Sequence, residues 1–300
     1  MVAFDRYNPN NSWGWLENSI HKDELQVVLG DIRDYDSVYK ASSGCDTVIH
    51  LAALIGIPYS YISPLAYIRT NIEGTYNILE AAKKHEFENI VITSTSETYG
   101  TAQFIPINED HPLVGQSPYS ASKIAADQLA ISYYKSFNMP IKIARPFNTY
   151  GPRQSSRAII PTIISQLLAG YNVLELGSLS PTRDLTYVSD TCDGLLEICK
   201  SEKLFGEVTN IGMNSEIAIG DLAKLIAKII GVNNLSITSS SKRIRPKNSE
   251  VERLVCDNSK LITKTSWRPQ NILEKGITKV IDWMKIRENL EVYKAMRYNV

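Results

Sequence analysis

Short β-branched runs alternate with longer helical patterns through the first half of this 300-residue chain, a rhythm that leaves few folds open. Strands are predicted at 2–5, 26–29, 47–51, 90–94 and 141–145, and helices at 37–41, 66–85, 119–137 and 158–169. Strands joined through helices run parallel, so this half reads as an α/β, doubly wound parallel sheet wrapped on both faces. Past residue 154 the elements shorten. A smaller C-terminal lobe is expected over 155–300, with segments between 184 and 210 returning to the sheet. Its helices are predicted at 219–230, 258–263 and 273–287, and the tail from 288 to 300 continues a polar helical pattern open to an oligomer contact.

Composition removes several classes of function. Thirty-two basic residues balance thirty-two acidic ones, so no nucleic-acid or membrane-surface partner is expected. Cys45, Cys192, Cys199 and Cys256 show neither CxxC spacing nor a disulfide framework, and fit reduced thiols in a cytoplasmic protein. No apolar run reaches the ~18 residues of a membrane span, and the first residues do not read as a signal peptide. The four histidines have no metal spacing; His50 reads as a core or turn residue and His21, His85 and His111 as surface. No metal site is expected.

The chemistry starts at Tyr119 and Lys123, four apart in YSASK and hence on one helical face. A free tyrosine titrates near pH ~10 and is a poor base at neutrality, but a cation held close favours the phenolate. Lowering the phenol by roughly three units takes about 4 kcal/mol of differential stabilisation. A lysine ammonium and a positively charged nicotinamide ring can supply it, giving a base for a sugar hydroxyl whose carbon loses hydride. Alone, Tyr-x-x-x-Lys is an ordinary helix pair. Upstream, Thr95-Ser96-Glu97 follows the apolar run NIVITS and adds a hydroxyl binder and a second acid/base. On a strand end, residues 95 and 97 would point to one side.

Three motifs together carry a resemblance: Thr95-Ser96-Glu97-Thr98-Tyr99-Gly100, Ser117-Pro118-Tyr119 with Lys123, and Arg145-Pro146-Phe147-Asn148-Thr149-Tyr150-Gly151-Pro152-Arg153. In order and spacing they resemble the extended short-chain dehydrogenase/reductases, specifically the NAD-dependent sugar-nucleotide epimerases, dehydratases and decarboxylases, over about residues 2–283. The resemblance implies a Rossmann-like NAD-binding domain over 1–154 and a substrate-binding lobe over 155–300. It implies that Thr95 binds the sugar 4-hydroxyl and Tyr119 takes its proton. Lys123 would hold the nicotinamide ribose, and Glu97 would act on the acidic C5 proton of the 4-ketone. Asp5, Asp31, Ile32, Leu51, Ala52, Ala53, Ser94 and Pro146, with Tyr119 and Lys123, correspond to cofactor contacts. Asn148, Arg183 and Arg245 correspond to contacts of the nucleotide-sugar diphosphate, which planar bidentate arginines match well. Helices at 66–85 and 119–137 resemble those of four-helix dimer interfaces in this family, so a homodimer is expected.

Finer features point within the family. Thr-Ser-Glu is similar to the GDP-mannose 4,6-dehydratases and UDP-glucuronate decarboxylases, whereas deoxythymidine-diphosphate-glucose 4,6-dehydratases carry aspartate where this chain has Ser96. Decarboxylases place an arginine at the position of Leu254, and leucine cannot bind a sugar carboxylate. Residues 249–254 look like the GDP-mannose dehydratase pattern. Asn11-Ser12-Trp13-Gly14-Trp15-Leu16 resembles dehydratases of legionaminic-acid pathways, which act on nucleotide-linked N-acetylglucosamine. The expected activity is a 4,6-dehydratase on a UDP- or GDP-linked hexose or N-acetylhexosamine. A 4-epimerase is the alternative enzyme, and a non-catalytic remnant the alternative of another class.

One element of the pattern is absent. A Rossmann half opens with a strand, a Gly-rich turn and a helix whose N-terminus takes the cofactor pyrophosphate. Here the first sixteen residues hold one glycine, Gly14, between two tryptophans. By the resemblance, residues 2–4 match the family's second strand and Asp5 the acid at its end, so an N-terminally truncated form lacking the first strand is expected. In the usual 3-2-1-4 order that strand lies inside the sheet, and losing its four or five buried side chains removes on the order of 10 kcal/mol.

Overall fold

The computed structural model describes residues 1–240 and 243–295 and divides into two compact units. Residues 1–98, 117–145 and 198–209 form the first; 99–116, 146–197 and the chain from Asn210 onward form the second.

The first unit begins with β1 (Val2–Arg6) and β2 (Gln26–Gly30), followed by α1 (Tyr35–Ala41), β3 (Thr47–His50), α2 (Ile57–Ile62) and α3 (Pro64–Tyr67). A π-helical turn, Ile68–Glu73, leads into α4 (Gly74–Lys84), and β4 (Asn89–Thr93), α5 (Pro118–Phe137) and β5 (Ile141–Pro146) complete the pattern. The strands pair in parallel, as the alternation with helices requires: Val48 opposite Ile90, and Ile90 opposite Ile141. The predicted 66–85 helix is therefore three pieces. Pro64 opens a separate turn, and the π segment carries the buried Asn71.

These strands do not make one sheet. β1 and β2 form a two-stranded ribbon, while β3, β4, β5 and the strand Val208–Ile211 form a four-stranded sheet in the order Val208–Ile211, β5, β4, β3. Gln26 N–H donates to the Met1 carbonyl and Tyr7 N–H to the Gly30 carbonyl. By the alternation of a parallel ladder, the odd residues of β1 face β2, and the backbone groups of Val2, Phe4 and Arg6 face the other way. Among the described residues no strand is hydrogen-bonded between β1 and β3.

The four-stranded part owes its depth to β-branched runs. Ile90, Val91 and Ile92 are fully buried, and Ile90 and Ile92, with Ile141 and Ile143, pack on Leu79 and Ala82 of α4 and Ala130 and Tyr133 of α5. α5 starts with a capping box, Ser117 against Ser120, with Pro118 in its first turn, and ends at Asn138 in the left-handed region, φ 54°. Gly74 admits close packing of α4, since a Cβ there would lie 2.5 Å from the Ile32 side chain.

The second unit holds β6 (Asn148–Tyr150), α6 (Ile159–Leu168), β7 (Val173–Leu176), β8 (Thr182–Arg183), β9 (Leu185–Tyr187) and α7 (Val188–Lys200). After β10 (Val208–Ile211), the outer strand of the four-stranded sheet, it continues through β11 (Ile217–Ala218), α8 (Ile219–Ile230), β12 (Ser236–Ser239), α9 (Ser259–Lys264) and α10 (Leu273–Lys285). β6 pairs with β9 in parallel, and the core lies among α6, α8 and α10 around Ile163, Ile226 and Ile281. Residues 188–191, expected near a returning strand, instead open α7. Among the described residues of the tail read as a helical pattern from 288, those up to Leu290 are helical, within a short helix Arg287–Leu290; 296–300 lie outside the described residues. No helix among the described residues is long and apolar enough to cross a membrane.

Candidate active site

α5 and the end of β4 meet residue by residue in the first unit. The Thr95 hydroxyl hydrogen-bonds the Tyr119 phenol, and Lys123 Nζ donates to the Thr93 carbonyl at 2.6 Å. Between them, Ser94 Oγ donates to Asp127 Oδ2 at 2.5 Å, and Ser94 N–H donates to the Ala144 carbonyl of β5 at 2.7 Å. Tyr119 and Lys123 are 7% and 3% exposed. Tyr67 of α3 meets the Tyr119 ring edge-on, centroids 6.2 Å apart.

Glu97 is brought into the same group by a route different from the strand alternation expected. β4 ends at Thr93, and Ser96–Tyr99 is a 3-10 turn, closed by Thr98 N–H on the Thr95 carbonyl at 3.2 Å. Glu97 N–H reaches Thr95 Oγ1 at 3.3 Å, and the carboxylate is close enough to disfavour the Tyr119 phenolate. Ser96 and Glu97 are both buried.

Burial sets the electrostatics. It raises the Tyr119 phenol well above its usual range; the Thr95 hydrogen bond opposes this, and the Glu97 charge adds to it. Burial lowers Lys123, and Asp127 pulls it back toward the ammonium. His50, at the end of β3, hydrogen-bonds Thr75 and is pushed down to about 3 by burial and then by the Lys123 charge. It is a neutral core group.

The expected cofactor positions lie at the carboxyl ends of parallel strands, where open α/β sheets bind their ligands. Asp5, next to last in β1, is exposed and accepts from Arg6 N–H at 2.6 Å. Asp31 follows β2 and is engaged by Arg33, which holds its carboxyl below the usual range. Ile32 is buried against Val38 and Ala81. Leu51 is 62% exposed and Ala52 exposed, with Ala53 half-buried, in the loop after β3. Pro146 ends β5. The chemistry of these positions fits a dinucleotide: a buried phenol–ammonium pair at one strand end, and at the others the solvent-reached Asp5, Asp31, Leu51 and Ala52, with Ile32 in the core beneath. No Gly-rich turn entering a helix occurs beside them among the described residues, because β1 runs into the 3-10 turn Gly14–Asn18.

Sequence reasoning passed over Asn71 and Asp127. Asn71 accepts from Leu54 N–H and donates to the Leu54 carbonyl and Ser122 Oγ, fixing the loop after β3 to α5. Asp127 continues the Tyr119–Lys123 series by four more residues, a readable signal. His111, expected at the surface, is 2% exposed, because Nε2 accepts from Gln103 N–H and Nδ1 donates to the Pro112 carbonyl.

In the second unit, the candidate diphosphate contacts divide. Arg183 and Arg245 both pair with Glu250, at 3.3 and 3.4 Å, and Arg183 also donates to the Thr182 carbonyl. Asn148 N–H donates to the Asp184 carbonyl, and its Oδ1 is buried with no hydrogen-bond partner. Arg183 borders a pocket of about 190 Å³ with Met213, Ser215, Glu216 and Ile272, room for part of a ligand rather than a whole sugar nucleotide.

A parallel sheet with a buried Tyr–Lys pair facing a Thr-Ser-Glu turn defines a short-chain dehydrogenase type of protein. The family model described as GDP-mannose 4,6 dehydratase matches residues 1–280, and the chain belongs to this family of NAD-dependent sugar-nucleotide dehydratases and epimerases. A dTDP-glucose 4,6-dehydratase from Streptomyces antibioticus is 32% identical over 272 residues, 91% of this chain and 80% of the relative. Another, from Streptomyces venezuelae and solved with NAD bound, superposes with a TM-score of 0.88 at 25% identity, covering 98% of this chain and 90% of its own. A UDP-glucuronic acid 4-epimerase from Bacillus cereus, solved with UDP-glucuronic acid and NAD, gives 0.84 at 28% identity over 95% and 90%.

Proposed function

We propose that this protein is a cytoplasmic NAD-dependent 4,6-dehydratase of a UDP- or GDP-linked hexose or N-acetylhexosamine, its first unit carrying the cofactor residues and its second the sugar nucleotide. The observation that carries the reading is the buried Glu97 carboxylate beside Tyr119 and Thr95. A 4-epimerase needs a hydroxyl binder and a base alone; a second carboxylate is needed to move the C5 proton.

Bound NAD would supply the hydride chemistry, an acceptor for the hydride of sugar C4 and its donor at C6. Thr95 orients the 4-hydroxyl, and Tyr119 takes its proton. Burial makes the phenol a weaker acid than a free one, with less phenolate at neutral pH, so the Lys123 ammonium one turn away must offset burial as well as the intrinsic gap. Oxidation at C4 acidifies C5–H; Glu97 removes that proton and delivers it to the C6 hydroxyl, which leaves as water, and a solvent proton returns to C5 as C6 is reduced. Asp5, Asp31, Ile32, Leu51, Ala52 and Ala53 would line the adenosine, ribose and diphosphate side, and Ser94 and Pro146, with Tyr119 and Lys123, the nicotinamide side. Asn148, Arg183 and Arg245 take the diphosphate, which must displace Glu250 from the two arginines. Leu254 supports the exclusion of decarboxylation: it is fully buried with Tyr99, Ile107 and Phe147.

Exposed Leu65, Ile68, Tyr76 and Phe137, on α3, the π turn, α4 and α5, support a homodimer built on these helices. Sedimentation should give a dimer that Ile68→Glu dissociates.

The deciding experiment follows Glu97→Gln with nucleotide-linked N-acetylglucosamine, NAD and deuterated water. The variant should keep C4 oxidation and lose both C5 exchange and the loss of one water. A dehydrated product at near wild-type rate sinks the dehydratase assignment of Glu97, and a product of unchanged mass with inverted C4 from the wild type hands the site to epimerisation.

A further inference from the structure

Tyr119, Lys123 and Asp127 stand at i, i+4 and i+8 on one face of α5 and contact three consecutive residues at the end of β4. Asp127 Oδ2 takes the Ser94 hydroxyl and, from β5, Arg145 NH2 at 2.7 Å; Arg145 Nε lies 3.3 Å from Ser94 Oγ. Asp127 and Arg145 are 0% and 2% exposed. Taking two charges out of water to this depth is weak evidence for stability, because desolvation offsets the attraction and apolar residues would fill the space as well. Asp127 Oδ1, moreover, is buried without a hydrogen-bond partner, so the carboxylate is incompletely neutralised where it stands.

We propose that the Asp127–Arg145 pair is a positioning device for the Tyr119–Lys123 couple: Asp127 holds Lys123 as the ammonium, and Arg145 keeps that negative charge from opposing the phenolate at Tyr119. Distance makes the two effects separable. Asp127 is one helical turn, about 5.4 Å of rise, from Lys123 and two turns from Tyr119. A lone carboxylate would act on both; a carboxylate paired with a guanidinium acts as a dipole, whose influence falls off faster. The electrostatics run the same way. Burial lowers Lys123 and Asp127 is what opposes it, whereas for Tyr119 the Asp127 contribution ranks behind burial, Glu97 and Tyr67. The other groups facing the couple are Glu97 from the 3-10 turn, Tyr67 from α3 and His50 from β3, which burial keeps neutral.

This inference rests on Tyr119 being the base, and its test separates the two. Lysine labelled with carbon-13 at Cε reports the Lys123 titration in the full chain, its resonance assigned by loss in Lys123→Met. Asp127→Asn should lower the Lys123 midpoint by about one pH unit, roughly tenfold in proton affinity, and Arg145→Gln should raise it by about half a unit. Opposite signs are the signature, since a merely structural pair would move both the same way or neither. Ser94→Ala leaves both charges in place and decides the matter if a charge variant does not fold: with one donor removed from the carboxylate, the midpoint should rise by a few tenths of a unit. An unmoved midpoint there, or shifts of one sign in the two charge variants, overturns the proposal. Unimpaired C4 oxidation by Tyr119→Phe would overturn the base assignment instead and leave these midpoints untouched.

Discussion

β1–β2 and β3–β4–β5 are parallel arrangements built from similar β-branched residues, yet they differ in depth. In β4 the three central residues are fully buried, with ladders on both sides; in β1 and β2 no residue is fully buried, and each strand has one partner. The difference lies in neighbours rather than propensity. A strand flanked by two others and covered by α4 and α5 excludes water from its backbone and side chains, and a ribbon of two cannot. The chemistry follows the same division: the phenol and the ammonium stand where burial shifts titration, with Glu97 and Asp127 buried beside them, and Asp5 and Asp31 stand where solvent reaches them.

The contrast can be broken most directly in the core. Ile92→Ala should cost about 2–5 kcal/mol by urea unfolding, and Val28→Ala about 1 kcal/mol or less, because only the first leaves a closed cavity. Equal costs would mean that the ribbon is as sealed as the sheet.

Acid provides the next largest effect. His50 titrates near 6.5 unfolded and about 3 folded, so between those values the unfolded chain binds the extra proton. Its contribution is fully present above pH 6.5 and is lost as pH falls toward 3, at about 1.4 kcal/mol per unit. His50→Gln should therefore lose about 2 kcal/mol less than wild type between pH 7 and 5. Parallel pH profiles for the two would show that His50 is not held neutral.

Proline substitution gives a finer comparison within β1. Ala3→Pro removes a ladder donor and should cost about 1–3 kcal/mol, whereas Val2→Pro, whose N–H faces away from β2, should cost roughly 0.5 kcal/mol or less. Similar losses would place a hydrogen-bond partner on the outer edge of β1. The smallest effect is in exchange: amides of Val28 and Gly30, which face β1 in the ladder, should exchange before those of Val91 and Ile92, because local opening of the ribbon exposes less apolar surface.

Much of the first unit was legible in the chain. Strands β2 to β5 begin and end within a residue of the expected bounds, because runs such as NIVIT and IKIAR have one way to bury themselves. α5 was readable from Ser-Pro at its start and the Tyr119–Lys123 spacing. The short strands β6, β7, β8, β11 and β12 were not, since two to four residues carry no periodicity that separates strand from loop. Nor was the π turn at Ile68–Glu73, where tertiary contacts of Asn71 outweigh the local helical pattern. The 3-10 turn that delivers Glu97 was misread as strand, because a Thr-Ser-Glu string following a strand fits either continuation.

The sequence by itself determined the family and the parallel class of the sheet, and it named the candidate groups that the structure gathers around Tyr119. Those properties are written in residue type and spacing: β-branched runs, a Tyr and a Lys one turn apart, a glutamate two residues after a threonine. Only the tertiary structure decided that Arg183 and Arg245 share Glu250, that Asp127 rather than solvent faces Arg145, and that the strands split into a ribbon and a sheet. These are long-range pairings, chosen by which buried charges and backbone groups find partners once the elements have packed, and no local pattern encodes that choice.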